Sequence, residues 1–293
     1  MTSQPASEPV SPNLTGQVQR RRVETLGRRL LTVSRVEDLT PNYRRVHLVG
    51  PDLDAGFPYV RLAVGDHVKV LFPQPGSKDV TLPEPGRPVR ETAEGAPRPA
   101  MRDFTVRGWD EARRELVLEF VLHGSAADGS AGVASSWARN ARVGDRLGVL
   151  GPRGNSVYPE NYAWYLLAGD ETALPALGRL VEELPEGARA HVVIEAADER
   201  EKRTITERPG FEVTWAVRGN GGAGALANAV RAVPLPKHDD WFAFAAGEVS
   251  AMKAVRDYLR LEIGLPAQRV SVDGYWKRGV ADLDHHAIDL DKG

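Results

Sequence analysis

The chain has 293 residues, of which 42% are hydrophobic and none is cysteine, and its formal net charge at pH 7 is −2. This length predicts two domains. The absence of cysteine excludes disulfides, thiolate catalysis and cysteine-ligated iron–sulfur clusters, so redox chemistry would need an organic cofactor. The near-balanced charge gives no general attraction to nucleic acid, and no apolar stretch reaches the roughly 18–20 residues of a membrane span.

Residues 1–23 are polar and lack the apolar run of a signal peptide. We therefore expect a disordered leader and a cytoplasmic protein.

From residue 24 to residue 157 the pattern is that of short strands separated by turns. Apolar or alternating runs predict strands at 28–37, 43–49, 67–72, 102–109, 115–122 and 146–149. A short helix is expected at 135–141, and residues 73–98, rich in proline, glycine and charge, predict a long loop. Six strands with little helix indicate an antiparallel six-stranded Greek-key barrel.

From residue 158 to residue 280 strands alternate with helices. The predicted strands are 164–168, 190–195, 212–217, 241–246 and 269–273, and the predicted helices are 175–183, 224–233 and 251–261. This alternation predicts a parallel sheet with helices on its faces. Residues 281–293 form an acidic tail, in which His285 and His286 are more simply interpreted as solvated side chains than as a metal site.

The first candidate site is the strand segment MRDFTVR. One face carries Arg102, Phe104 and Val106, and the other carries Thr105 and Arg107. A flavin needs an aromatic or apolar surface against its ring, and its pyrophosphate suits a bidentate guanidinium. An ordinary strand with exposed arginines would show the same pattern.

The second candidate site is the segment HG…GVASSWA, in which small residues allow a ligand to approach the backbone. A serine opens the predicted helix, whose free N–H groups suit a phosphate, although serine is also a common cap for structural reasons alone. The residues concerned are His123, Gly124, Gly132, Ala134, Ser135, Ser136 and Trp137.

The third candidate site consists of two strand-to-helix junctions, GDETALPA and AGEVSA. Each places a glycine at the carboxyl end of a strand, where open α/β sheets bind ligands, and every such sheet also needs tight turns there. The candidate nicotinamide contacts are Gly169, Asp170, Glu171, Thr172, Ala173, Gly247 and Glu248.

A further glycine-rich segment, GNGGAG at 219–224, fits the pattern G-x-G-x-x-G. Because it follows the third strand of its domain instead of the first, we interpret it as a structural loop. Residues 195–203 mix acidic and basic side chains, so the choice between NADH and NADPH stays open.

Taken in order, MRDFTVR, HG…GVASSWA, GDETALPA, AGEVSAMKAVRDYLR and GYWKRG resemble the siderophore-interacting protein family. These are flavin-dependent ferric-siderophore reductases of the ferredoxin-reductase-like superfamily. The resemblance covers about residues 24–280. It implies FAD in the barrel, NADH or NADPH in the second domain, and a ferric siderophore as substrate.

The resemblance also implies roles for individual residues. Flavin contacts fall on Arg102, Phe104, Thr105, Arg107, His123 and Gly124, pyrophosphate contacts on Ala134, Ser135 and Trp137, and a further cofactor contact on Trp276. Phe104 stands where the family usually has tyrosine, which keeps the ring surface and loses the hydroxyl. Substrate contacts fall on the basic residues Lys69, Arg153, Lys277 and Arg278.

The resulting hypothesis is NAD(P)H-dependent, FAD-mediated reduction of ferric siderophores by a monomer that needs no metal site, general acid, base or nucleophile of its own. One alternative is a flavin reductase that serves a protein partner such as ferredoxin. The other is a non-enzymatic module that binds siderophores.

Overall fold

The structure is a computed structural model that describes residues 11–22, 26–74, 76–84, 100–124, 131–152, 154–219 and 224–280. The chain divides into two compact units. The first unit contains Arg21–Val60 and Gly65–Asn155, and the second contains Ser11–Arg20, Arg61–Val64 and Ser156–Gly293. Among the described residues, no helix is both long and apolar enough to cross a membrane.

Part of the segment expected to be a leader has a defined place in the second unit. Asn13 is buried, and its side-chain nitrogen donates hydrogen bonds to the carbonyls of Gln17 and Val157, each at 2.8 Å. Residues 1–10 and 23–25 lie outside the described part of the chain.

The first unit consists of strands and one helix. Its elements are β2 (Arg28–Thr40), β3 (Tyr43–Val49), β4 (His67–Phe72), β5 (Ala100–Thr105), β6 (Gly108–Asp110), β7 (Glu115–Val121), α1 (Val133–Asn140) and β8 (Arg146–Leu150). The strands form one antiparallel sheet in the order β5-β4-β8-β2-β3-β7-β6. Two further short strands, β1 (Gln19–Arg22) and β9 (Gly154–Val157), pair with each other and were not predicted.

The sheet of the first unit closes on itself. Its edge strands β5 and β6 are separated by only Val106 and Arg107, and the N–H of Arg107 donates to the carbonyl of Val117 in β7 at 3.0 Å. Strands β3 and β4 are consecutive but not neighbours, and the same is true of β7 and β8, which is the Greek-key arrangement.

The predicted fold class is therefore confirmed, with one correction. The sheet has seven strands where six were expected, because the segment 102–109 is interrupted at Val106 and Arg107 instead of forming one continuous strand. Counted as one bent strand, β5 and β6 restore the number six.

Alternating side chains fill the barrel. Val68 and Val70 of β4 and Leu116 and Leu118 of β7 have no exposed surface. Full burial of such side chains contributes about 1.5–3 kcal/mol each relative to exposure. Lys69 and Val117, which lie between these residues, are only partly buried, which gives these parts of the strands an alternating pattern.

The second unit alternates strands and helices as predicted. Its elements are β10 (Trp164–Gly169), α2 (Leu174–Glu183), β11 (Arg189–Ala196), β12 (Phe211–Val217), α3 (Ala225–Arg231), β13 (Trp241–Glu248), α4 (Val249–Asp257) and β14 (Val270–Trp276). The five strands are parallel in the order β12-β11-β10-β13-β14. Strands β11 and β12 lie on one side of β10, and β13 and β14 lie on the other side. The order of strands therefore switches between β10 and β13, and the switch point lies at their carboxyl ends.

Gly169 makes the close approach at this switch point possible. A Cβ atom at this position would lie 2.5 Å from the Cβ of Ala173 and 2.6 Å from the carbonyl oxygen of Ala246. Only glycine can end β10 here without displacing β13 or the turn that follows β10.

Candidate functional site

The MRDFTVR strand contributes an aromatic ring to the inner side of the barrel. Phe104 of β5 lies opposite Val68 of β4, and its ring centroid is 4.5 Å from that of Phe120 and 6.3 Å from that of Phe72. Trp137 of α1 joins the cluster at 5.6 Å from Phe120. Aromatic pairs at such distances contribute about 0.5–1.5 kcal/mol beyond their burial. Phenylalanine at position 104 brings no hydroxyl that would need a hydrogen-bond partner among these rings.

The two arginines of the same motif contact other groups of the protein. Nη1 of Arg102 donates to the carbonyl of Met101 at 2.6 Å. Nε of Arg107 lies 3.5 Å from the carboxylate of Glu119, which is buried and also accepts the hydroxyl of Tyr43 at 2.8 Å. Oε1 of Glu119 also accepts Nε and Nη2 of Arg45 at 2.9 Å and 2.6 Å, so Arg107 lies beside a carboxylate that the sequence pattern did not reveal and that binds Arg45 more closely.

Lys69 is paired across the two strands. Its Nζ lies 2.7 Å and 3.0 Å from the two carboxylate oxygens of Asp103, and both side chains are about one-quarter exposed. Ion pairs this close to solvent contribute little net stability, so an anionic ligand can compete for the ammonium group.

Among the described residues, no side chain caps the N-terminus of α1. Its N-cap residue is Gly132, which has no capping side chain, and the first turn carries no acidic residue. The first N–H groups of a helix lack partners within the helix and carry its positive partial charge. At the other end, Nη1 of Arg44 donates to the carbonyls of Ala138 and Arg139 at 2.7 Å and 2.9 Å. The negative end of the helix is therefore satisfied, whereas no described side chain occupies the N–H groups of the positive end.

Ser135 holds the segment that precedes α1 in the site. Its hydroxyl accepts the N–H of His123 at 2.9 Å and donates to the carbonyl of His123 at 2.8 Å. A Cβ atom at Gly132 would come within 3.4 Å of the His123 ring. Both hydrogen bonds of Ser135 thus fix the backbone of His123, which precedes Gly124. Residues 125–130 lie outside the described part of the chain.

A buried carboxylate occupies the switch point of the second unit. Asp170 is 2% exposed and follows β10 directly. Its Oδ1 accepts the N–H and hydroxyl of Thr172 at 2.9 Å and 2.5 Å, and its Oδ2 accepts the N–H of Glu248 and Nε1 of Trp276, both at 2.8 Å. Burial raises the pKa of Asp170, and these hydrogen bonds act in the opposite direction. Position 247 accommodates this carboxylate because it is glycine: a Cβ atom there would lie 2.6 Å from Oδ2 of Asp170.

The N-terminus of α4, unlike that of α1, is filled by the protein itself. Oε2 of Glu248 accepts the N–H groups of Ser250 and Ala251 at 2.7 Å and 3.1 Å. Its Oε1 accepts the N–H of Arg278 at 3.3 Å. A phosphate at this helix end would meet a carboxylate that already uses the donors.

A second charged group lies at the ends of β10, β11 and β12. Arg218 contacts Oε2 of Glu171 at 2.8 Å through Nη2 and Oε1 of Glu195 at 2.6 Å through Nε. Burial acts to lower the pKa of Arg218, but the two carboxylates outweigh it and the pKa lies above its ordinary value. Burial also raises the pKa of Glu171, and Arg218 opposes this shift. Oε2 of Glu195 accepts the N–H of Leu226 at the start of α3.

The mixed charges after β11 are paired with one another. Nη2 of Arg200 lies 2.8 Å from Asp198, and Nζ of Lys202 lies 2.7 Å from Glu199. The choice between the two nicotinamide nucleotides therefore stays open at this segment. The glycine-rich loop at 220–223 lies outside the described residues, and α3 begins at Ala225 beyond it.

The structure groups most of the residues singled out from the sequence. In the first unit, Arg102–Arg107 lie on β5 and the residues just after it, and α1 supplies Ala134, Ser136 and Trp137. In the second unit, the two junctions and Trp276 meet around Asp170. Lys277 and Arg278 are exposed in the turn after β14, and Arg153 lies outside the described residues. Sequence reasoning missed Phe72, Phe120, Glu119 and Arg218, whose contributions depend on strand pairing.

Comparison with known proteins gives consistent matches along the chain. The model of the siderophore-interacting FAD-binding domain matches residues 32–156, and that of the siderophore-interacting protein matches residues 162–279. The chain is 33% identical over 269 residues to the ferric vibriobactin reductase ViuB of Vibrio cholerae, covering 90% of this chain and 94% of that protein. It is 34% identical over 256 residues to the NADPH-dependent ferric-chelate reductase of Escherichia coli, covering 85% and 92%. The crystal structure of a siderophore utilization protein from T. fusca aligns with a TM-score of 0.78 and 40% identity, covering 92% and 100%.

We predict that Arg218→Ala destabilises the second unit in a pH-dependent way. Removal of the cation leaves Glu171 and Glu195 buried without their partner, at a cost of about 3–5 kcal/mol near neutral pH. The pKa of Glu171, which burial already raises, then lies further above its ordinary value because Arg218 no longer opposes the shift. The destabilisation is full at high pH and is relieved as the pH falls through the raised pKa.

Denaturant unfolding between pH 8 and pH 5 measures this difference. The gap in unfolding free energy between parent and variant should narrow towards pH 5. Arg200→Ala, which removes an exposed partner of Asp198, serves as control and should give a gap that does not change with pH. A constant gap for Arg218→Ala would show that the two carboxylates do not depend on this cation.

Proposed function

The chain belongs to the siderophore-interacting protein family, as its ordered motifs predicted, and on that premise we propose that it reduces ferric siderophores with electrons from NADH or NADPH through a bound FAD. The observation that carries the proposal is the N-terminus of α1, which no described side chain caps and which lies beside the aromatic cluster of β5, within a domain matched by an FAD-binding family model. Two relatives named as ferric-siderophore or ferric-chelate reductases match over more than 90% of their own length.

We propose that the pyrophosphate of FAD binds the first turn of α1. Gly132 lets the phosphate reach the free N–H groups, which suit an anion. The guanidinium groups of Arg102 and Arg107 supply further donors, because planar guanidinium binds phosphate bidentately. Phe104 and Trp137 offer aromatic surface for the ring system. The hydroxyl of Ser135 fixes the adjoining backbone at His123, so Ser135 contacts the ligand through its backbone N–H in the first turn of α1. The residues proposed to contact FAD are Arg102, Phe104, Thr105, Val106, Arg107, His123, Gly124, Gly132, Ala134, Ser135, Ser136 and Trp137.

When bound, FAD supplies the conversion of a two-electron hydride donor into a source of single electrons, which Fe(III) requires. The residues of the chain bind and orient the reactants. No side chain of the proposal transfers a proton or forms a covalent bond, so rate enhancement comes from placing the reactants in series. Hard oxygen chelators hold Fe(III) better than Fe(II), so reduction releases the iron.

We propose that the nicotinamide nucleotide binds at the carboxyl ends of β10 and β13. This is the switch point of the sheet, and glycine at positions 169 and 247 keeps its turns tight. Because Asp170 and Glu248 occupy the local N–H donors, these two carboxylates shape the crevice and the phosphates of the nucleotide are bound elsewhere. The proposed contacts in the crevice are Gly169, Glu171, Thr172, Ala173, Gly247 and Trp276.

We propose that cationic side chains attract anionic ferric chelates. Lys277 and Arg278 are exposed after β14. Lys69 can bind an anion if the ligand displaces Asp103 from its ion pair. Arg153 completes the proposed set on the strength of the family resemblance. Positive charge raises the local concentration of anionic ligands.

A cytoplasmic location and a monomeric state are parts of the same proposal. A ferredoxin partner is the alternative, in which a redox protein replaces the ferric chelate in the electron-transfer reaction. Purified protein that exchanges electrons with ferredoxin and reduces no ferric chelate would favour that alternative.

We predict that the purified protein shows flavin absorbance bands, either directly or after addition of FAD. NADH or NADPH should bleach these bands without oxygen, and a ferric siderophore should then restore them with release of Fe(II), measured by a ferrous chelator. Bleaching by one nucleotide alone would identify the donor. A protein without flavin bands even after added FAD, or one that is bleached but transfers no electrons to any ferric chelate, would refute the proposed reaction.

We predict that Gly132→Asp weakens FAD binding without destabilising the apoprotein. The backbone of Gly132 has φ −64° and ψ 160°, which any residue adopts, and aspartate is a favoured N-cap. Its carboxylate would occupy the helix N–H groups and repel the pyrophosphate, so FAD affinity should fall by about tenfold or more.

Gly132→Ser provides the matched neutral cap. Fluorescence titration of both apoproteins with FAD, together with their melting temperatures, separates the effect of charge from that of the side chain. Equal FAD affinity in the two variants would place the pyrophosphate away from α1.

We predict that Lys277→Ala combined with Arg278→Ala lowers the rate of reduction of anionic ferric chelates severalfold. Loss of the two charges weakens attraction of the anion, so the deficit should shrink as salt is added. A neutral ferric chelate should be reduced at the parent rate. Lys253→Ala combined with Arg113→Ala removes two exposed charges elsewhere and serves as control. An equal deficit with neutral and anionic chelates would contradict the proposed attraction.

A further inference from the structure

The two oxygens of the Asp170 carboxylate bind different parts of the fold. Oδ1 accepts both bonds from Thr172, two residues ahead, and so caps the 3₁₀ turn that follows β10. Oδ2 accepts the N–H of Glu248 at the end of β13 and the indole Nε1 of Trp276 at the end of β14. One oxygen has a local role and the other joins three strand ends.

A cap alone does not require this arrangement. Asp198 caps the 3₁₀ turn after β11 in the same way, by accepting the N–H of Arg200 at 2.8 Å, and it remains near the surface. Asp170 is buried, and among the described residues its carboxylate meets hydrogen-bond donors and no cation. Burial of a carboxylate is costly, so the link made by Oδ2 is the feature that calls for a function.

The link fixes an aromatic ring where a ligand is expected. Trp276 is the last residue of β14 and is half-buried, and its indole is held by its N–H edge at the carboxyl ends of the strands. Glu248 adds a second attachment, since Oε1 accepts the N–H of Arg278 two residues further on. The two carboxylates therefore tie the segment from Trp276 to Arg278 to the ends of β10 and β13.

We propose that Asp170 is a positioning residue that acts through Trp276, holding the indole as a flat surface on which the nicotinamide ring stacks. A planar heteroaromatic ring gains from offset stacking on an indole whose orientation is already fixed. The identity of the ligand rests on the proposed function, whereas the coupling between Asp170 and Trp276 does not.

Asp170→Asn separates the two roles of the carboxylate. With its amide oxygen towards Thr172, asparagine keeps the cap, and its NH₂ group then faces the donors of Glu248 and Trp276. A residue that only caps the turn should tolerate this change. A residue that positions Trp276 should lose the indole bond.

Indole NMR signals of the full chain, labelled with ¹⁵N-tryptophan, report this bond without any activity. The chain has six tryptophans, and the signal lost in Trp276→Phe assigns Trp276. Asp170→Asn should shift that signal and speed its exchange with solvent by about tenfold or more, because a hydrogen bond to a charged acceptor is lost. Asp198→Asn, the matched cap variant, should leave it in place. An unchanged Trp276 signal in Asp170→Asn overturns the coupling.

Stopped-flow reduction of the FAD-loaded protein by NADH and by NADPH tests the consequence. Asp170→Asn and Trp276→Phe should each weaken nucleotide binding or slow flavin reduction by about tenfold, and the double variant should be no worse than either, because both changes break one interaction. Additive losses, or tighter nucleotide binding in Trp276→Phe, overturn the positioning role. If Asp170→Asn does not fold, parent-like nucleotide affinity in Trp276→Phe overturns it.

These results are distinguishable from failure of the proposed function. A protein that is never reduced by either nucleotide refutes the reductase, and the NMR measurement still decides the coupling between Asp170 and Trp276. A protein that is reduced at the parent rate in every variant retains its function and refutes the positioning role.

Discussion

The N-termini of α1 and α4 differ in a single respect on which the division of labour in this protein depends. Glycine is the N-cap of α1, and no side chain in the described part of the chain caps its amide groups, whereas Glu248 caps the amide groups of α4 with its carboxylate. A helix N-terminus is favourable for an anion only while its N–H groups are unoccupied. The first unit can therefore accept a pyrophosphate at a helix end. In the second unit, the N–H groups at the start of α4 already donate to Glu248 and cannot bind a phosphate.

The second unit uses buried acids to build its crevice. Asp170 and Glu248 bind backbone N–H groups and the Trp276 indole, and Glu171 and Glu195 enclose Arg218. Each carboxylate is satisfied within the fold, so the carboxyl edge of the sheet offers shape and aromatic surface more than free charge. A dinucleotide that binds here must find donors for its phosphates on other parts of the chain.

The sequence predicted the fold well because its signals are local. Strand β13 is a continuous apolar run because it is buried on both faces. Strand β4 begins with an alternating pattern because one face is buried there and the other is only partly covered. The interruption at Val106 and Arg107 was not predicted, because it depends on β5 and β6 lying on opposite edges of a closing sheet. Strands β1 and β9 are four residues long, and such short segments carry too little periodicity to be recognised.

The candidate site was predictable in its chain segments and not in its contacts. The motif strand, α1 and the two glycine junctions could be located from residue types, because each junction lies at the end of a recognisable strand. The partners of these residues could not, since Glu119 reaches Arg107, and Arg218 reaches Glu171, only through strand pairing.

Cofactor chemistry explains why the polar residues of this protein act indirectly. Where a cofactor carries the reaction, the protein contributes binding and geometry, so small displacements matter more than proton transfer. Ser135 binds the backbone of His123, Glu119 lies 3.5 Å from Arg107, and Asp170 accepts the indole N–H of Trp276. None of these three side chains needs to touch a ligand to affect it. Changes in activity should therefore appear at residues one contact away from the cofactors. Phe104, which keeps the ring surface of the family's usual tyrosine without its hydroxyl, is compatible with the same logic.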